Sequence, residues 1–197
     1  VVNLLEDTTP PPAPTALSGY MQDGHYHLTW LNPTHLVHLD NLLTDCSTPE
    51  NIHTADEEGA TMAVSIADNA LRCDYSITSA WATAAADYVF AEATDMHLTP
   101  ELSFRLKGNG TSTALRIVCK NMSAGHEDWW YTEQFELSST EWQTVTLNLS
   151  SLQAFEWYTN TDDRNRCEGI VRLSFGVSTG EPVSGTFYLD DLHLTGD

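Results

Sequence analysis

Hydrophobic residues recur at every second position through most of this chain. Alternating runs occur at Met62-Val64-Ile66, Leu71-Cys73-Tyr75-Ile77, Leu102-Phe104-Leu106, Leu115-Ile117-Cys119, Val145-Leu147-Leu149, Val171-Leu173-Phe175-Val177 and Leu192-Leu194. Successive side chains of a strand point to opposite faces, so each run predicts a strand with one apolar face. Turn-forming residues separate the runs at Lys107-Gly108-Asn109-Gly110, Ser123-Ala124-Gly125, Asn165-Arg166-Cys167-Glu168-Gly169 and Ser184-Gly185. Only Ala80 to Asp87, with alanines around Trp81, tolerates a helix. The pattern predicts an all-β fold, an antiparallel two-sheet β-sandwich of the jelly-roll type.

Ahead of these runs, residues 8–14 read TTPPPAP, a tract that favours extended polyproline II and commonly joins modules. Residues 1–14 are therefore expected to be a linker or tail cut from something longer. Residues 15–35 contain Leu28 and Trp30 alternating with polar neighbours before an Asn-Pro break, as in a strand. This short piece resembles the opening strands of a fibronectin type III domain. No second half of such a domain follows, so it reads as a remnant or as a look-alike that lends a strand to the main domain, which spans residues 36–197.

The formal net charge is −20, from 8 Lys plus Arg against 28 Asp plus Glu. That excludes a general nucleic-acid or anionic-membrane binder, because a polyanion would be repelled. At 41% hydrophobic residues the chain has enough apolar mass for a core. No apolar run approaches the roughly 18 residues of a membrane span, and the first residues lack the basic start and apolar stretch of a signal peptide. Four cysteines, Cys46, Cys73, Cys119 and Cys167, stand far apart without a CxxC pair, which argues against a zinc site. Three disulfide connectivities are formally open; Cys73 and Cys119 sit at inward strand positions and read as buried thiols. No GxSxG, HExxH, P-loop or GxGxxG occurs, and His25-x-His27 lacks a third ligand at metal-like spacing.

The segments LSFRLKGNG (102–110), ALRIVCKN (114–121), EDWWYTEQFEL (127–137), EWQTVTLNLSSL (141–152), IVRLSFGV (170–177) and GTFYLDDLHLTGD (185–197) follow one another in a recognisable order. That order resembles the jelly-roll carbohydrate-binding modules of the galactose-binding-like superfamily, in particular family 11 modules and complex I intermediate-associated domains. LVHLDNLL (36–43) and NALRCDYSI (69–77) extend the resemblance toward the N-terminus. The resemblance implies a non-catalytic module holding a polysaccharide, a β-glycan and potentially an acidic one, on the concave face of one sheet. It also implies a secreted or cell-surface bacterial protein in which appended catalytic or other modules accompany this domain. It further implies a structural calcium between the first and last strands, with Asp40 and Asp190 as ligands. Leu42 and Leu43 replace the Phe-Glu pair of the family at that point, so Asp45, Glu50 or Asp56 would have to supply further oxygens. The rival readings are a polysaccharide lyase or glycoside hydrolase of jelly-roll fold, using a base such as Tyr88, Tyr131 or His126, and a structural or adhesive sandwich.

Glycan recognition needs flat apolar platforms against pyranose C–H faces and planar polar groups for hydroxyls. If Phe135 and Leu137 face inward, strict alternation puts Trp129 and Tyr131 inside and Trp130 and Gln134 outside, which makes Trp130 the expected platform. Trp157 and Tyr158 lie in a polar segment as a binding rim or a lid on the core, and Trp81 is a further candidate. Arg116 and Arg172 fall opposite the apolar set of their strands. In the jelly-roll order implied by the resemblance they share the ligand-binding sheet with Trp130, whereas Arg105 and Lys107 lie on the other. Guanidinium groups there could grip sugar hydroxyls or a uronate.

Overall fold

The computed structural model describes residues 15–22, 25–31, 39–94, 96, 101–123, 126–155 and 169–196. It divides into two compact units, residues 1–38 with Asp197, and residues 39–196. In the first, β1 (Thr15–Gln22) pairs antiparallel with β2 (His25–Leu31) as a two-stranded ribbon.

The second unit is a sandwich. Its strands are β3 (Leu39–Thr44), β4 (Ile52–Asp56), β5 (Ala60–Ala67), β6 (Ala70–Ile77), β7 (Thr83–Thr94), β8 (Glu101–Lys107), β9 (Ala114–Ser123), β10 (His126–Glu136), β11 (Gln143–Asn148), β12 (Gln153–Ala154), β13 (Ile170–Ser178) and β14 (Val183–Gly196). One sheet runs β12-β10-β9-β13-β7-β4 and the other β11-β8-β14-β6-β5, with β3 added on β14. All pairings are antiparallel, as alternation predicts. The inner faces close on Leu71, Ile77, Leu102, Phe104, Leu115, Ile117, Phe175 and Phe187, all buried. Phe104 and Phe175 meet edge-to-face across the sheets with centroids 5.4 Å apart. Cys73 and Cys46 are free buried thiols, and Cys119 is buried as well; burial pushes Cys46 up to about 12, so it stays protonated at neutral pH.

Two local expectations fail for identifiable reasons. Residues 83–87 form the start of β7, and Ala84, Ala85 and Ala86 are buried in the sheet, so packing overrides the helix preference of alanine. Ser184-Gly185 lies inside β14 and is no turn. Gly185 is needed for packing instead, since a Cβ there would collide with the side chains of Tyr75 and Asn109.

Candidate functional site

The outward residues of the β12-to-β4 sheet carry the site. Register pairs Gln134 with Arg116, Arg116 with Gly176, Gly176 with Ala85, and Ala85 with Ala55. These five positions form one row perpendicular to the strands, about 19 Å long at ~4.8 Å per strand. The row has polar groups at one end and nothing larger than a methyl at the other. Above it opens a cleft of about 710 Å³, lined by Gln134, Arg116, Gly176, Ala85 and Ala55 together with Trp81, Trp129 and Phe155.

The aromatic groups stand on opposite sides of this row. Trp81 precedes β7 and is 74% exposed. Its φ of 67° is left-handed, a conformation that a bulky residue rarely adopts. The turn is pinned, because Trp81 N–H donates to Thr179 O at 2.7 Å and Ser178 Oγ–H donates to Trp81 O at 3.0 Å. Gly180 makes room for the indole; a Cβ there would sit 3.0 Å from the ring. Trp129, on β10, has its indole N–H donating to Glu127 Oε2 at 2.8 Å and Lys120 Nζ 4.3 Å from its ring centroid. Phe155 stands edge-on to it.

A charge network fixes that second aromatic. Arg172 bonds Glu127 at 2.7 Å and reaches Asp87 at 3.4 Å, Lys120 lies 3.6 Å from Asp87, and Ser174 Oγ–H donates to Asp87. Asp87 and Lys120 are buried, so each needs the other. Arg116 differs: its guanidinium lies 5.0 Å over the Tyr131 ring, and its buried Nε has no hydrogen-bond partner among the described residues. An unmatched donor inside a cleft is a place for a ligand oxygen.

The expected platform is corrected. Trp130 is 3% exposed and its indole N–H donates to Asn121 Oδ1 at 2.7 Å, inside the core. The cause is a β-bulge in β10: Tyr131 faces Val118 but Gln134 faces Arg116, so β10 carries one extra residue. The bulge reverses parity between Trp130 and Phe135 and turns Trp129 and Tyr131 outward. Arg116, Gln134 and Trp81 all line the cleft. Arg172 is on the same sheet, yet it is occupied by Glu127 and Asp87 and supports Trp129 rather than lining the cleft. Trp157 and Tyr158 lie outside the described residues. Alternation could not find Trp129; its neighbour Glu127 two residues earlier, positioned to accept the indole N–H, is a weak signal at best.

The calcium ligands fare differently. β3 and β14 pair directly, Thr195 opposite Asp40, so the ends of the domain are joined by a backbone ladder. The Asp40 side chain lies outside what the structure describes. Arg105 bonds Asp190 at 3.0 Å and lies 3.8 Å from Asp191, so a guanidinium holds the place of a cation there. Burial and the neighbouring Asp191 push Asp190 up, and Arg105 pulls it down. Asp45 is turned to the Ser47 N–H at 2.9 Å, and Asp56 lines the cleft on the other sheet. Among the described residues no three His, Cys, Asp or Glu side chains gather as a metal site. As for a base, Tyr88 is buried, its hydroxyl donates to Leu43 O at 3.3 Å, and burial pushes it up, the opposite of what proton abstraction requires.

No curated protein matches this sequence. Solved structures do. A family 11 carbohydrate-binding module of the cellulosomal cellulase Lic26A-Cel5E of Clostridium thermocellum superposes with a TM-score of 0.68 at 16% identity, covering 80% of this chain and 95% of that one. The family 11 module from the same organism in complex with a β-1,3-1,4-mixed-linked tetrasaccharide gives 0.66 at 18% identity over the same shares. A family 30 module of its cellulase Cel9D-Cel44B gives 0.59 at 15%, covering 81% and 98%. These likenesses establish the β-sandwich fold. The sequence matches the surface glycan-binding protein B xyloglucan-binding domain over residues 19–192. The protein is a non-catalytic carbohydrate-binding module, and the chain belongs to the family of surface glycan-binding protein B xyloglucan-binding domains.

Proposed function

We propose that this domain binds a neutral β-glucan chain of the xyloglucan class across the row from Gln134 to Ala55, between Trp81 and Trp129. The observation that carries the reading is Trp81, an indole held 74% exposed on a strained backbone at the rim of the cleft. The exposed Trp81 and the half-buried Trp129 at the two sides of a long groove suit the apolar faces of successive pyranose rings. Arg116 and Gln134 suit the hydroxyls that project toward the sheet. The charge of the cleft supports a neutral ligand. Lys120 is spent on Asp87, and Asp56 and Glu57 line the rim, so an acidic glycan meets no net positive field. The family and the β-1,3-1,4-mixed-linked tetrasaccharide bound to a structurally similar module support the same class. A surface glycan-binding family also supports an extracellular or cell-surface location, with this domain presenting glycan to neighbouring modules of a larger protein. Isothermal titration with xyloglucan and polygalacturonate tests it. Xyloglucan should bind with little dependence on salt, and Trp81→Ala should weaken it about tenfold or more, about 1.4 kcal/mol. Binding of polygalacturonate alone, or an unaffected Trp81→Ala protein, would overturn the reading.

A further inference from the structure

Gly176 poses a question that the fold does not answer. It sits in the middle of β13, between the inward Phe175 and Val177, at the centre of a six-stranded sheet. Glycine there weakens a strand, since it has the most freedom to lose on folding and no side chain to pack. Backbone conformation does not require it: the positive-φ glycines are Gly59, Gly110 and Gly169. Packing does not require it either. A Cβ at 176 would meet Thr83 Cγ2 at 3.5 Å, Ala85 Cβ at 3.6 Å and Ala84 O at 4.0 Å, all ordinary van der Waals distances. Gly185 makes the contrast, because a Cβ there would collide with Tyr75.

What a side chain at 176 would fill is the cleft, since Thr83 and Ala85 line it too. The two next positions across the row, Ala85 and Ala55, are alanines. The floor is therefore bare over three adjacent strands and rises at Arg116 and Gln134 on the next two. A linear glucan crossing the row is held up by Arg116 and Gln134 and leaves the recess beneath it at Gly176, Ala85 and Ala55 unfilled. A sugar branch projecting from the main chain toward the sheet fills it. Resting on the proposed glucan reading, we propose that Gly176, with Ala85 and Ala55, is a specificity-determining position: its missing side chain makes the recess that seats a pendant sugar of a branched β-glucan.

Titration of the whole chain with a xyloglucan oligosaccharide and with an unbranched cello-oligosaccharide of equal backbone length tests this, with melting curves alongside. The unaltered protein should bind the branched ligand more tightly. Gly176→Val should lose about tenfold or more for the branched ligand, the scale of added methyl groups in a closed pocket, and no more than about twofold for the unbranched one, so that the preference between the two ligands collapses. The Tm of Gly176→Ala and Gly176→Val should be unchanged or higher, because both reduce the freedom of the unfolded chain and favour strand. A structural glycine would show the reverse, a lower Tm with branch preference intact, and that result overturns the proposal. Ala85→Val repeats the test from the neighbouring strand. Equal affinity of the unaltered protein for the two ligands overturns the recess alone, whereas no affinity for either overturns the glucan reading beneath it.

Discussion

Four aromatic side chains on or beside β10 show how much one residue's orientation decides. Trp129 and Trp130 are chain neighbours, yet the first faces the cleft beside Lys120 and the second is sealed in the core on Asn121. Their substitutions should therefore separate stability from binding. Trp130→Ala should destabilise by about 3–5 kcal/mol, the cost of a large core cavity together with the lost hydrogen bond to Asn121. Trp129→Ala should leave the denaturation midpoint close to unaltered and weaken glycan binding about tenfold. Paired denaturation and titration experiments check both, and a Trp130→Ala protein of full stability would show that the parity described for β10 is wrong. Tyr131 and Phe155 stack edge-on 5.2 Å apart and brace the same rim.

At the scale of elements, alternation was sufficient for β6, β8 and β9 and for β13 from Leu173 onward, where inward positions run without interruption; between Ile170 and Arg172 a register shift buries Ile170 and leaves Val171 half-buried. It failed at β10 because a bulge inserts a residue that leaves no mark in the hydrophobic pattern: Thr132 is buried and accepts from Ile117 N–H, while Gln134 is exposed. It failed to foresee β7 because three successive alanines carry no alternation at all. Of the site, Arg116 and Gln134 were legible as outward polar residues, and Trp81 as an isolated tryptophan. The clamp on Trp129 was not, since Glu127, Lys120, Asp87 and Arg172 come from four strands that only register brings together. That clamp is an element-scale device, holding β7, β9, β10 and β13 through Asp87. Asp87→Ala leaves buried Lys120 without its carboxylate and should cost roughly 3–5 kcal/mol. A chemical denaturation curve reads it, and a shift below about 1 kcal/mol, the range of exposed pairs, would mean the pair is solvated.

Over the whole molecule, a sandwich of two sheets joins its first and last strands by the β3–β14 ladder, while Arg105 of β8 pairs with Asp190 of β14. The ladder already ties the ends, so the expected Tm is the same in EDTA as in calcium. A fall in Tm on chelation, with calcium found by elemental analysis, would return Asp40 and Asp190 to the role their positions suggested. The two outer faces also differ. One presents the cleft with Trp81, Arg116 and Trp129. The other presents Trp142 and Tyr188, whose rings lie under Arg105 and Lys107. Nuclear magnetic resonance titration with a xyloglucan oligosaccharide distinguishes them directly. The account predicts that the indole N–H signals of Trp81 and Trp129 and the amides of Arg116, Gly176 and Ala85 shift together and saturate at one ligand concentration. Shifts confined to Lys107, Trp142 and Tyr188, or none anywhere, would contradict it.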